Sequence, residues 1–136
     1  MPLSQIFDVS GTAMTAQSVR LNTIASNLAN AETASSSAET AYRARQPVFS
    51  TILENEKGNS AGGVKVLGIV ESPLPPKQFY NPGHPMANKD GYIFMPNVNA
   101  VEEMANMISA SRSFQSNVEV MNTAKQLMTH TLRLGQ

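Results

Sequence analysis

Nine positions near the C-terminus, Met104, Met107, Ser111, Phe114, Val118, Met121, Lys125, Met128 and Leu132, are separated by alternating steps of three and four residues. Both steps are close to one helical turn, so all nine fall on one narrow stripe of an α-helix. Asn99, a residue type suited to an N-cap, stands before this segment, and Glu102 follows three positions on in a variant of the capping box. Glu102 and Glu103 begin the helix and His130 and Arg133 end it, as the helix dipole favours, before Gly135 stops it. A helix from Asn99 to Leu134 measures about 54 Å at 1.5 Å per residue. A compact 100-residue domain has a radius of gyration of only about 13 Å. Such a helix overhangs the body it belongs to.

A second helix is predicted from about Ser4 to Asn30, where Phe7, Met14, Leu21 and Leu28 recur every seven residues. Leu3, Ser10, Gln17 and Ile24 take the companion positions, so polar residues interrupt the middle of this seam. Ser4 can cap its start, and no proline follows Pro2 until Pro47. An antiparallel pair of the two helices leaves both apolar seams half exposed, and other chains must cover the rest. Ser111 and Lys125 within the C-terminal seam suit a contact in which polar groups set register with a neighbour.

Ala31 to Gln46 is rich in Ala, Ser, Thr and Glu and reads as an exposed connector. Short β-prone runs follow, Pro47 to Leu53 and Val64 to Val70, separated by Gly58, Gly62 and Gly63. Gly62 and Gly63 lack the Lys-Ser/Thr of a phosphate loop and are expected in a turn. Asn81-Pro82-Gly83-His84-Pro85 and Asp90-Gly91 are turn signals, the second leading into Tyr92, Ile93, Phe94 and Met95. The expected fold class is mainly α with a small β-rich middle: residues 1–30 an N-terminal helix, 31–96 a connector and small β-rich region, and 97–136 a C-terminal helix.

Composition narrows the function classes. Ten basic and ten acidic side chains cancel, leaving no net field for nucleic acid or an anionic membrane, and no apolar run is long enough to span one. Without cysteine there is no disulfide, thiolate metal site or cysteine nucleophile. The first residues lack the basic and apolar regions of a cleaved signal peptide. The only histidines are His84 and His130 and the only aspartates Asp8 and Asp90, and no spacing groups them into a metal or catalytic site. Glu54, Glu56 and Lys57 read as a solvated charge group. An assembly subunit with no enzymatic activity and no cofactor is therefore expected. Its subunit-packing residues are expected to be Phe7, Met14, Leu21, Ile24, Leu28, Met104, Met107, Phe114, Val118, Met121, Met128 and Leu132. Asn27 and Asn30 fit a helix C-terminus, with Asn30 as a left-handed cap, as well as amide bonding to adjacent subunits. Arg112, Gln115 and Asn117 fit a solvated face or an intersubunit polar rim equally.

The run Ala25-Ser26-Asn27-Leu28-Ala29-Asn30-Ala31 resembles the N-terminal signature of the bacterial flagellar rod and hook proteins. Phe7-Asp8, Ala16-Gln17-Ser18, Tyr42-Arg43-Ala44, Gly63-Val64-Lys65-Val66 and Asn81 to Pro85 with Gly91-Tyr92 are similar to proximal-rod members of that family. So are Met95 to Asn99, Val101 to Met104, Ser109 to Val120 and Leu132 to Gln136. Glu32 to Ala41 departs from the pattern, with Ala, Ser and Glu where relatives carry Gly and Pro. The resemblance implies a structural subunit of the proximal rod, its terminal helices forming an inner coiled-coil domain of a helical tube and its β-containing part lying further out. It implies a place in the periplasmic drive shaft, which transmits torque and contains the export channel, and export without a cleaved signal. The implied partners are other rod proteins, copies of the chain itself, and rod-base, membrane-ring and export-gate proteins. A cytosolic coiled-coil adaptor or export chaperone is the alternative that the helical ends alone would permit.

Overall fold

A computed structural model describes residues 3–53 and 62–135. The expected charge group Glu54, Glu56 and Lys57, and Gly58, lie outside the described residues. The chain is mainly helical with a β-containing middle: α1 (Leu3–Asn30), β1 (Arg45–Leu53), β2 (Gly62–Glu71), β3 (Lys77–Tyr80), β4 (Tyr92–Met95) and α2 (Ala100–Leu134). β1 pairs with β2, and β3 with β4, in two two-stranded sheets. The helices have 28 and 35 residues. At 1.5 Å per residue, α2 is about 52 Å long. Asn99 caps it as its side chain predicts, its Oδ1 accepting from the backbone N–H of Val101 at 3.1 Å and of Glu102 at 3.5 Å. α1 begins at Leu3, one residue ahead of the expected cap Ser4.

The chain divides into two compact units, and each takes a part of both helices. One comprises Met1–Leu21, Pro47–Gly68 and Ile108–Gln136; the other comprises Asn22–Gln46 and Ile69–Met107.

In the first unit the fully buried side chains are small or polar: Gln5, Ser10 and Ala16 on α1, Ala110 and Ala124 on α2. Alanine at both α2 positions leaves no bulk there to hold the backbone off its neighbours. β2 is tied to α1 through Thr12, whose hydroxyl accepts from the Val64 N–H at 3.3 Å. The same hydroxyl donates back to the helix, with the Asp8 and Val9 carbonyls each at 3.0 Å. Gly62 and Gly63, expected in a turn, instead begin β2. The reason at Gly63 is proximity, because a Cβ there would lie 3.3 Å from the Thr12 hydroxyl.

In the second unit Thr23, Ile24, Asn27, Ser35, Ala41 and Ile93 are buried. β3 and β4 run antiparallel with Lys77 opposite Met95 and Tyr80 opposite Tyr92, and these two tyrosine rings meet edge to face at 5.1 Å. Gly91 ends the loop between the strands with φ of 82°, where a Cβ would sit 2.8 Å from the Tyr80 ring. The Asn88 side chain organises the same loop, its Oδ1 accepting from the N–H groups of Asp90 at 3.0 Å and Tyr92 at 2.9 Å.

The segment after α1 is exposed at Glu32, Thr33, Ser36, Glu39, Thr40 and Arg43, as expected of a connector, but it buries Ser35 and Ala41. Ser35 is buried and exchanges both backbone hydrogen bonds with Phe94, N–H to O at 2.8 Å and O from N–H at 2.9 Å. The Thr40 hydroxyl bonds those of both Ser35 and Ser37. A polar segment is thereby folded without an apolar period, because its side chains satisfy one another locally.

Candidate assembly surface

Asn27, near the C-terminal end of α1, is 2% exposed, and its carboxamide fills every hydrogen-bonding position inside its own chain. Nδ2 donates to the Arg45 carbonyl at 2.8 Å and to Glu103 Oε2 at 3.0 Å. Oδ1 accepts from the Arg45 N–H at 2.8 Å and from the Tyr42 hydroxyl at 2.9 Å. The amide thus pairs with both backbone groups of Arg45 as a neighbouring strand would, and holds the first residue of β1 on α1. A flipped amide would set donors against donors, so the partners fix its orientation. Tyr42 spends its only hydrogen on Asn27, so Ser26 donates to the Tyr42 oxygen at 3.1 Å. A buried donor left without a partner costs about 1–3 kcal/mol, so α1, β1 and α2 are coupled at this one side chain.

Around that node the contacts are weaker. Arg45 reaches Glu71 at 3.2 Å and lies 5.5 Å from the Tyr42 ring centre. Both charged side chains are about half exposed, at 47% and 54%, and such a surface pair contributes about 0–1 kcal/mol.

Of the residues expected to pack, only Ile24 is fully buried; Phe7, Met14, Leu21 and Leu28 on α1 and Met107, Phe114, Val118 and Met121 on α2 are half-buried. Met104, Met128 and Leu132 lie exposed at 50%, 37% and 67%. Among the polar candidates, Asn30 and Asn117 turn back onto their own helices, donating to the Ser26 and Ser113 carbonyls at 2.8 Å each. Arg112 and Gln115 are exposed on α2. The structure therefore brings Asn27, but not the other four, into a network that joins separate elements.

Five further apolar residues of α2 stand in solvent, outside the expected stripe: Val101, Ile108, Val120, Leu127 and Leu134. Val101 and Ile108 are seven apart, and so are Val120, Leu127 and Leu134, a periodicity that the sequence itself carries. Val120 and Leu127 line an open cleft of about 410 Å³ with Ile6, Ser116, Glu119, Thr123 and Ala124. Val120, Leu127 and Leu134 share one line along the helix, from which Val101 and Ile108 are displaced by about a third of a turn, and a line of exposed large apolar side chains is a candidate interaction face. Among the described residues, no group of three or more acidic or histidine side chains could hold a metal ion. None of the described helices is long and apolar enough to cross a membrane.

Comparison with known proteins agrees with this geometry. The family model described as flagella basal body rod protein matches residues 7–34, most of α1 and the turn after it. The model for the C-terminal region of the flagellar basal body rod FlgEFG proteins matches residues 89–134, from β4 through α2. Over 136 residues, and covering the full length of both chains, the sequence is 51% identical to the flagellar basal-body rod protein FlgC of Salmonella typhimurium and 52% identical to that of Escherichia coli O6:H1. The FlgC of Buchnera aphidicola subsp. Acyrthosiphon pisum is 46% identical, again with both chains fully covered. Identity at this level from end to end means that the chain belongs to the FlgC family of flagellar basal-body rod proteins.

Proposed function

We propose that this structural rod subunit works in the proximal part of the flagellar rod, where it joins other rod proteins and copies of itself in a helical tube. The tube crosses the periplasm, encloses the export channel and transmits torque from the rod base, beside membrane-ring and export-gate proteins. The subunit performs no catalysis and needs no cofactor, and it leaves the cytoplasm without a cleaved signal. Residues 1–30 and 97–136 supply the inner coiled-coil layer, and residues 31–96 lie outside it.

One observation carries this reading: the buried apolar side chains among the described residues are four alanines, two isoleucines and Pro96, while eight large apolar residues of α2 are exposed. A core of that kind leaves apolar surface whose burial between subunits stabilises by about 25 cal/mol per Å². Contacts that repeat without closing build a helical tube, and the half-buried row of Phe114 and Val118 supplies the seam. Phe114→Asp or Val118→Asp is expected to abolish incorporation into purified basal bodies and with it motility. Normal rods carrying both changes would refute the seam. A wild-type chain lost from basal bodies on washing would point to an adaptor or chaperone instead.

A further inference from the structure

We propose that Asn27 is the register key of the terminal helix pair, selecting the one alignment of α2 on α1 that sets Glu103 beside it. Apolar packing alone distinguishes alignments poorly. On α1 the large seam residues Phe7, Met14, Leu21 and Leu28 repeat every seven positions, and on α2 Met107, Phe114, Met121 and Met128 do the same. A slip of seven residues sets one large apolar side chain where another had been, and methionine adapts readily to a new neighbour.

The node does not share that degeneracy. Seven residues beyond Glu103 stands Ala110, whose side chain accepts nothing. Three of the four hydrogen bonds of the Asn27 amide go to Arg45 and Tyr42 and do not involve α2. One N–H remains, and it meets Glu103 Oε2 at 3.0 Å. In the native alignment Asn27 is only 2% exposed, and a slip that sets Ala110 opposite it removes the carboxylate acceptor without supplying another. A polar residue buried in a helical seam is the best-attested way for coiled coils to choose a register, at some cost in stability. Here the choice also ties β1 to the helix pair, since the same amide holds both backbone groups of Arg45.

The test exploits the absence of cysteine from the chain. Ile6 and Ala124 line one cleft, so Ile6→Cys with Ala124→Cys reports the native alignment by cross-linking with a short bis-maleimide in isolated basal bodies. Ile6→Cys with Asn117→Cys, or with Thr131→Cys, reports slips of seven residues. Asn27→Asp keeps both acceptor contacts but turns an oxygen toward the Arg45 carbonyl and the Glu103 carboxylate, of which only the second depends on the alignment of α2. It should shift the ratio of native to slipped links by roughly tenfold or more, the equivalent of one lost buried partner. Glu103→Gln alone should leave the ratio near wild type, because its amide oxygen still accepts from Asn27. Combined with Asn27→Asp it should recover much of the native link, its amide N–H now donating to the carboxylate at position 27. An unchanged ratio in Asn27→Asp, or a double variant as slipped as the single one, would overturn the proposal. If Asn27→Asp yields no assembled chain, the same cycle is read in incorporation: recovery by Glu103→Gln supports the key, and failure to recover overturns it.

Discussion

Side chains that span long stretches of sequence decide the local geometry of this chain. The partners of Asn27 lie 15, 18 and 76 residues away. Its place near a helix end was therefore legible in the sequence, whereas the network that buries it was not. Asn30 differs, since its amide bonds the carbonyl four residues back, as a residue at a helix end can do without tertiary help. Gly91 was readable as a turn residue from Asp90-Gly91, and the structure adds a second constraint in the closeness of the Tyr80 ring. Gly91→Ala combines a left-handed backbone penalty of about 1–2 kcal/mol with that clash. Amide exchange should accelerate throughout β3 and β4 while α2 is unaffected. Unchanged protection in both strands would contradict the account.

Among the elements, the two helices were the most legible, because a seven-residue apolar period and an uninterrupted length need no tertiary information. α2 starts and ends within a residue of the positions its caps imply. The β-prone runs that became β1 and β2 were visible in their apolar and β-branched content. β3 was not, since Lys77 to Tyr80 carries no alternation and all four residues are exposed; it is a strand only because β4 pairs with it. The local order of the connector was not legible, because it comes from hydroxyls and one backbone bridge, which leave no periodic trace. The second apolar row of α2 was readable in the spacing of Val120, Leu127 and Leu134, but the methionine stripe beside it is denser and drew the reading. Since the seam residues of both helices are half-buried at best apart from Ile24, we predict that neither helix orders fully before docking. Free chain in dilute solution should show weak amide protection over both helices and strong protection after incorporation. Strong protection in the free monomer would contradict this.

For the whole molecule, what remains unpaired points to assembly. Among the described residues small side chains predominate in the interior, while Val101, Met104, Val120, Leu127, Met128, Leu132 and Leu134 of α2 are exposed. That distribution is poor for a monomer and suitable for a subunit whose neighbours complete the core. Family membership names the structure in which this happens, and we propose the exposed row as a surface that takes part in it. The most direct measurement separates docking from folding. Leu127 is 54% exposed, so Leu127→Asp removes little from the fold of its own chain, and Gln126→Asp, at an exposed polar position beside it, controls for charge. Each variant would be expressed in a strain lacking the wild-type protein and its amount determined in cells and in purified basal bodies. The account predicts that both accumulate normally in cells and that only Gln126→Asp enters the rod. Equal incorporation of Leu127→Asp, with normal motility, would contradict it.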